Sequence, residues 1–507
     1  MNYKKIINFN NIEKVLSKYK IKNKKIVQCH GVFDLLHIGH LKHFETAKKQ
    51  GDILIVSVTP DQYIDKGFNR PFFKNQQRLE SLSSISDINY VVLNNFSTAV
   101  NIINKIKPNF FCKGPDYKNQ KDDITGQIKN EISAVKKNGG KIIITNDKTY
   151  SSSSILNDVY STFNLDQKTF IKKIKKEIQL TNFSTQIKKL ENLKVLVIGE
   201  TIIDKYVFCE ALGKSGKEPH LVLRDLYEET YLGGVIAIAK NISSFCKKVT
   251  VLSCLGRDKK LNLIKRKLSK NISFKYLIKS NSPTIVKKRY IEHISKNKVL
   301  GVYSLNDELL NSKEELSFSK MILKEIKKYD VVIVSDYGHG LITNHAAKLI
   351  YKNAKFLALN AQANAANTGY HTIQKYNNVD CVVMNEQELR QELRNKNEKV
   401  ENLAKKLAKI LNIKNLVITR GSNGAFLFDS KTKNIFYSPA FASKVVDKVG
   451  AGDTMLSIIS LLVKLKFQHS LSLFLGSLAG AISVEGLSNK VPLNKTKLFK
   501  YMEHILK

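Results

Sequence analysis

Long apolar runs are missing from this chain. No stretch of its 507 residues approaches the roughly 18 uninterrupted apolar residues of a membrane-spanning helix, so no membrane partner is expected. Proline and glycine are sparse, at 8 and 25, which excludes collagen-like and low-complexity classes. Six cysteines (Cys29, Cys112, Cys209, Cys246, Cys254, Cys381) are scattered with no CxxC pair. That pattern fits reduced thiols acting as small apolar residues better than a disulfide scaffold or a zinc site. Met1 to Lys25 is basic but lacks an apolar core and a small-residue cleavage site, so it does not read as a signal peptide and the expected location is cytoplasmic. Acidic residues are also short, 44 Asp+Glu against 83 Lys+Arg, for a formal charge of +39. A strongly basic chain suggests a polyanion partner. Arginine, however, numbers only nine, and lysine is spread everywhere beside abundant Asn and Ile. Groove readers favour arginine forks in clustered patches. The charge is therefore read as a solvated lysine surface, and nucleic acid is not expected as a partner.

What is present is a globular composition, 43% hydrophobic and 25% charged. At about 150 residues per domain the length allows two or three domains. The first part alternates short apolar strands with helices. Strands are expected at Lys25–Gln28, Ile53–Thr59, Tyr90–Leu93, Phe110–Cys112 and Lys141–Thr145, with helices at Leu41–Lys49, Gln76–Ser83 and Thr98–Ile106. Such alternation argues for a parallel sheet covered on both faces. Residues 161–192 carry apolar side chains at helical spacing (Phe170, Ile171, Ile174, Ile178) and read as a linker helix or one appended at a domain junction. Buried strands then recur at Lys194–Gly199, Val249–Ser253, Val331–Ser335, Phe356–Leu359, Cys381–Met384 and Leu416–Thr419. The expectation is an α/β protein of two domains, residues 1–160 and 193–507.

The segment from Cys29 to His40 follows the first strand and opens a helix. His37 and His40 flank Gly39 and place two imidazoles at a helix N-terminus, where free N–H groups and the helix dipole favour phosphate. Imidazoles there can donate to a triphosphate as charge builds on the α-phosphate and the leaving pyrophosphate. Gly31 and Gly39 allow close backbone approach. Taken alone, two histidines at this spacing also fit a surface helix start or half of a metal pair. The run Gly31 to Asp61, with Phe33 and Asp34 inside it, resembles the nucleotidyltransferases that couple a phosphorylated alcohol or sugar to a nucleotide, among them glycerol-phosphate cytidylyltransferases and heptose 1-phosphate adenylyltransferases. Arg70-Pro71 with Gln77-Arg78 looks like that family's second basic cluster, although both arginines also fit surface ion pairs. Lys113 to Tyr117 resembles the KGxDY segment of the heptose-type branch, with Lys113 as a cation for the acceptor phosphate. Ser151 to Ile155, including Ser152 and Ser153, resembles the late loop that touches the triphosphate. Asn157 stands near where the cytidylyltransferase form has Arg, which favours the heptose-type branch. The resemblance implies Mg²⁺, a Rossmann-like fold and in-line attack of a sugar 1-phosphate on the α-phosphate of ATP, with CTP the other possible donor.

Near the C-terminus, Gly450-Ala451-Gly452-Asp453 precedes an apolar helix. Small residues at a helix start expose consecutive N–H groups to a transferring phosphoryl group, and Asp453 can accept the proton of an attacking hydroxyl. A plain Gly-rich turn with an Asp cap has the same letters. The pattern resembles the second signature of the ribokinase-like (PfkB) carbohydrate kinases, and other landmarks follow in order. Asp204 looks like the sugar-contacting Asp of the first strand region, and Gly233-Gly234 like the first signature. Val334 to Gly340, with Asp336, resembles the VSDYGKG segment of heptose 7-phosphate kinases. Asn385 and Glu388 look like the pair that organises Mg²⁺ through water. Thr419 to Gly424, with Gly421, looks like the nucleotide-side turn. Lys287 and Arg289 lie where these kinases keep substrate-facing basic residues, and a charged strand edge is the plainer reading. The resemblance also implies a small lid sheet and a homo-oligomer. Two positions depart from the pattern: Ala237 stands for an Asn of the first signature, and Leu359-Asn360-Ala361 replaces a strand end with Asp-Pro.

Together the two halves resemble the family of bifunctional enzymes of ADP-heptose synthesis, which serve lipopolysaccharide, with the transferase placed first. The expected activities are ATP-dependent phosphorylation of a heptose-like sugar phosphate and nucleotidyl transfer to the sugar 1-phosphate with release of pyrophosphate. Alternatives are an alcohol-phosphate cytidylyltransferase fused to a kinase for another sugar or polyol, and a polyanion-binding or regulatory protein with degenerate sites.

Overall fold

The computed structural model describes residues 3–64, 70–114, 127–145, 163–179 and 183–506. Ser152, Ser153, Asn157 and the Pro115 to Tyr117 segment lie outside them. The chain divides into two units, one built from Met1–Leu165 with Phe499–Lys507, the other from Asp166–Leu498.

In the first unit, strands with continuous apolar runs pair into one sheet of six, in the order Ile6–Ile7, Tyr90–Leu93, Ile53–Val58, Ile26–Gly31, Phe110–Lys113, Lys141–Ile144. Every pairing is parallel. Ile53–Val58 is buried at all six positions, as a strand covered on both faces must be. Successive side chains feed opposite layers. Ile26, Ile55 and Phe111 pack with Ile12, Leu16, Ile102, Ile103 and Ile106. Val27, Cys29, Val56 and Cys112 pack on the other side with Phe33, Phe44, Leu79 and Leu82. Each such side chain contributes roughly 1.5–3 kcal/mol on burial. The expected strands are all present within two or three residues. The strand Ile6–Ile7 and the helix Ile12–Ile21 are additions.

The second unit holds a nine-stranded sheet. Seven strands are parallel, in the order Ile272–Ile278, Lys248–Leu255, Lys194–Gly199, Val331–Asp336, Leu357–Ala361, Cys381–Asn385, Asn415–Thr419. Ala425–Asp429 and Ile435–Ser438 extend it antiparallel at one edge. A separate sheet of four, Lys298–Ser304, Ile285–Glu292, Thr201–Lys214, Leu221–Gly234, corresponds to the small lid sheet that the resemblance implies, for which the sequence gives no position. The segment read as a linker helix forms two helices, Leu165–Gln179 and Phe183–Lys189. The first packs within the second unit, with the Phe170 ring 6.2 Å from that of Phe441 and 6.0 Å from that of Phe474. All six cysteines are buried and free.

Candidate active sites

The first site forms where the strand Ile26–Gly31 runs into the helix Ile38–Lys48. His37 is the extended N-cap of that helix and His40 lies in its first turn, so their rings stack with centroids 3.9 Å apart. The His40 ring also meets Phe33 edge-on at 5.5 Å. Burial lowers the His37 pKa, which keeps the imidazole neutral near pH 7. Phe33 adopts φ of 50°, and its ring fills the space over Gly31, where a Cβ would meet it at 2.9 Å. The structure therefore assigns Gly31 a packing reason: it makes room for Phe33. Gly39 lies within the helix itself.

The other residues expected at phosphate are engaged with protein groups. Asp34 accepts from Arg70 at 2.7 Å and from the Phe72 and Phe73 N–H groups at 2.8 Å each, so it anchors the 70–73 turn. Arg78 is fully buried, not a surface residue, and donates to the Phe73, Val32 and Thr59 carbonyls, to Asp61 and to Asn75. Lys113 is buried with its Nζ 2.9 Å from Glu131. Sequence reasoning missed His30, at the end of the same strand. Its ring bonds to Ser57 at 3.0 Å and approaches Thr59 Oγ1 at 3.3 Å, and burial with the charge of Lys113 lowers its pKa to about 3.

The second site lies at the start of the helix Ala451–Lys464. Gly450 caps it at φ of 86°, in the left-handed region, and a Cβ there would meet Asn489 Oδ1 at 2.4 Å. Gly452 faces open space. Asp453, at the third helical position, receives the Tyr337 hydroxyl on Oδ1 at 3.0 Å and the Ser335 hydroxyl on the same atom at 3.5 Å. Burial raises its pKa to about 6, the Asp204 charge adds to the rise, and Tyr337 and Lys287 oppose it.

The lid strands bring the expected substrate residues to this point. Lys287 lies opposite Asp204 in register, and Arg289 pairs with the Asp204 carboxylate. Lys287 and Arg289 share one strand face, both over the Tyr303 ring, at 5.6 and 5.9 Å. Burial lowers the Lys287 pKa, while the charges of Asp204, Glu200 and Asp453 raise it. Gly233 is required here because a Cβ would stand 2.2 Å from Asp204 Oδ2. Gly234, at φ of 58°, opens the next helix against the Glu200 carbonyl. Thr419 ends a strand, Gly421 opens a short turn at φ of 57°, and Gly424 closes it at 77° beneath the Ser438 carbonyl. Asn385 and Glu388 bond each other reciprocally as N-cap and third helical residue, at 2.8 Å in both directions. Burial lifts the Glu388 pKa to about 7, with the Asp453 charge contributing.

Asp336 behaves differently. It is buried, and its oxygens take Lys375 at 2.7 Å, the Tyr376 hydroxyl at 2.6 Å and the Gly338 N–H at 3.1 Å. Its partners are all protein groups that hold the loop after the strand. Ala237 is buried, and Asn241 one turn later binds Thr454 Oγ1 at 3.1 Å and accepts from the Leu493 N–H at 2.8 Å. Asn360 donates to the Val383 carbonyl at 2.8 Å. Three residues of the Val334 to Gly340 run carry no role in the sequence reading: Tyr337, Ser335 and His339. His339 is buried beside Lys287 and Lys279, and burial lowers its pKa to about 4. The run resembles a family segment as a whole, and only its Asp336 is expected at the substrate.

Comparison with known proteins follows the same division. A cytidylyltransferase-like model matches residues 29–158 and a pfkB family carbohydrate kinase model residues 192–494, in the order read from the motifs. Bifunctional protein HldE of Campylobacter jejuni is 26% identical over 313 residues, 61% of this chain and 65% of that protein. The match thus spans a little under two thirds of that relative. The Aliarcobacter butzleri protein of the same name is 38% identical over 136 residues, 26% of this chain and 28% of its own. Escherichia coli phosphofructokinase-2 in complex with potassium superposes with a TM-score of 0.53 at 15% identity, over 62% of this chain and all of that one, a likeness of fold. The alternation, the three sheets and the glycine-opened helix with Asp453 agree with these matches: the chain belongs to the pfkB family of carbohydrate kinases, with a cytidylyltransferase-like region before the kinase.

Proposed function

We propose that the chain is a two-activity enzyme of nucleotide-sugar synthesis. The kinase unit phosphorylates a heptose-like sugar phosphate with ATP, and the other transfers AMP to the sugar 1-phosphate with release of pyrophosphate. The observation that carries the reading is Asp453, held at a helix start within the charge of Asp204 and Lys287, with Arg289 paired to Asp204. A carboxylate there can take the proton of a sugar hydroxyl while the Gly450 to Gly452 amides receive the transferring phosphoryl group. Lys287 and Arg289 give an anionic substituent of the sugar a cationic partner. In the first unit, the stacked pair His37 and His40 at a helix N-terminus supplies donors for the charge that builds on the triphosphate.

Mg²⁺ fits Glu388. Its buried carboxyl, pushed up to about 7 with Asp453 adding to the rise, lies where a cation would restore the charged form. Because Glu388 and Asn385 bind one another's backbone, they would hold the ion through water, where it supplies positive charge to the nucleotide phosphates. The turn from Thr419 to Gly424 would take the nucleotide.

A cytoplasmic homo-oligomer belongs to the same reading. Among the described residues no helix is long and apolar enough to cross a membrane. The lid strand Lys298–Ser304 exposes Leu300, Val302 and Tyr303, an edge that a second copy could cover.

The test is a screen of sugar 7-phosphates and 1-phosphates against ATP, CTP and GTP with products read by mass. A bisphosphate from ATP and an ADP-sugar with pyrophosphate are expected. Turnover with CTP alone in the transferase reaction would substitute the cytidylyltransferase reading. Absence of any turnover, with salt-sensitive nucleic-acid binding, would overturn both.

A further inference from the structure

Asp453 has two oxygens, and the protein treats them differently. Oδ1 takes the Tyr337 hydroxyl at 3.0 Å and the Ser335 hydroxyl at 3.5 Å. Among the described residues, no protein group bonds Oδ2. Tyr337 follows the strand Val331–Asp336 directly, is buried, and has its backbone N–H fixed at 3.0 Å by Glu200. Its ring packs with Ile202 and Ile285 at the base of the lid strands. The hydroxyl is therefore delivered from a rigid seat and is not free to follow the carboxylate. The Tyr337 bond, backed by the longer Ser335 contact, restrains the carboxylate and leaves the other oxygen to accept a proton.

We propose that Tyr337, assisted by Ser335, is the positioning residue of the kinase base: it pins Oδ1 of Asp453 so that Oδ2 alone faces the attacking hydroxyl. The inference rests on the reading of Asp453 as base. In the step it serves, the sugar O–H proton passes to Oδ2, the sugar oxygen bonds the γ-phosphorus of ATP, and the bridging P–O bond breaks with its electrons on ADP. A hydrogen bond to the ionised carboxylate favours that form. Tyr337 thereby opposes the burial that makes Asp453 hard to ionise. The other charged groups facing Asp453 are Asp204 and Lys287 from the lid strands and Glu388 from the neighbouring helix. Glu200 acts on Tyr337 itself. None of these changes in a Tyr→Phe variant.

The test is the pH profile of kcat/KM for sugar phosphorylation in the full chain, for wild type, Tyr337→Phe, Ser335→Ala and Asp453→Asn. Tyr337→Phe is expected to move the acidic limb upward by about one pH unit, so that activity falls about fivefold near pH 6, approaches a tenfold loss below about pH 5, and changes by less than about twofold above pH 8. Ser335→Ala, which removes a longer bond and no packed ring, shifts the limb the same way by less. It also serves as the deciding variant if Tyr337→Phe does not fold. A loss equal at every pH would make Tyr337 merely structural and overturn the proposal. So would an unmoved limb while Asp453→Asn is inactive. If Asp453→Asn keeps wild-type turnover, the base reading itself fails and the positioning role fails with it.

Discussion

Both units place their candidate site at the start of a helix, yet the side chains differ in kind. Ile38–Lys48 opens with two stacked imidazoles, while Ala451–Lys464 opens with glycines and a carboxylate. The backbone device is the same, a set of N–H groups suited to phosphate. What is added to it follows the reaction proposed for each. A sugar phosphate attacking an α-phosphate is already an anion, so its site needs donors for the charge that leaves. A sugar hydroxyl must first lose a proton, so its site needs an acceptor. Under the proposed function, a helix start supplies the phosphate-binding amides in both units, and the residue types within its first turn separate nucleotidyl transfer from phosphoryl transfer.

The sharpest way to break this comparison is Asp453→Asn. Loss of a base should reduce ATP-dependent sugar phosphorylation by about 10²–10⁴-fold while leaving pyrophosphate release from the other unit within about twofold. Coupled assays for ADP and pyrophosphate on the same preparation separate the two. Equal losses in both assays would mean that Asp453 supports the fold and not the chemistry. The reciprocal variants, His37→Ala and His40→Ala, should each lower pyrophosphate release by about 10²–10³-fold, the magnitude of losing a preorganised donor, and leave phosphorylation intact. Retained pyrophosphate release in both variants would remove the transferase from the first unit.

The legibility of the two units differed for physical reasons. Strands buried on both faces, such as Ile53–Val58 and Lys194–Gly199, announce themselves as apolar runs. Two of the lid strands do not: Leu221–Gly234 carries Arg224, Asp225, Glu228 and Glu229 on a largely exposed stretch, and Lys298–Ser304 is exposed at every position. Their existence came from resemblance alone. Among candidate site residues, the helix-start positions of Asp453, His37 and His40 were legible because the spacing is local. Tyr337 was not, because its hydroxyl meets a carboxylate 116 positions away. Arg78 and Asp34 have motif positions that suggested ligand contact. Their partners, loop carbonyls and the 70–73 turn, depend on how that loop closes, which no local pattern encodes.

The smallest effect is also the one that contrasts the sites most directly, because their stability should depend on pH with opposite sign. Asp453 has a folded-state pKa raised from 3.8 to about 6 by burial, so between those values the folded chain holds a proton that the unfolded chain has released. Stability falls as pH rises through this window, and the loss is complete above about pH 6. Asn carries no such proton, so Asp453→Asn should raise the melting temperature by a few degrees at pH 8 and by less at pH 5. His37 runs the other way. Burial lowers its folded pKa below 6.5, so the unfolded chain takes up a proton first as pH falls, and stability is lost below about pH 6.5. Replacing His37 with Asn should therefore help at pH 5 and do little at pH 8. Melting curves of the two variants against wild type at both pH values read the contrast. Shifts of the same sign and pH dependence in both would show that burial does not set these two pKa values, and the proposed division between a protonatable base and neutral donors would lose its electrostatic footing.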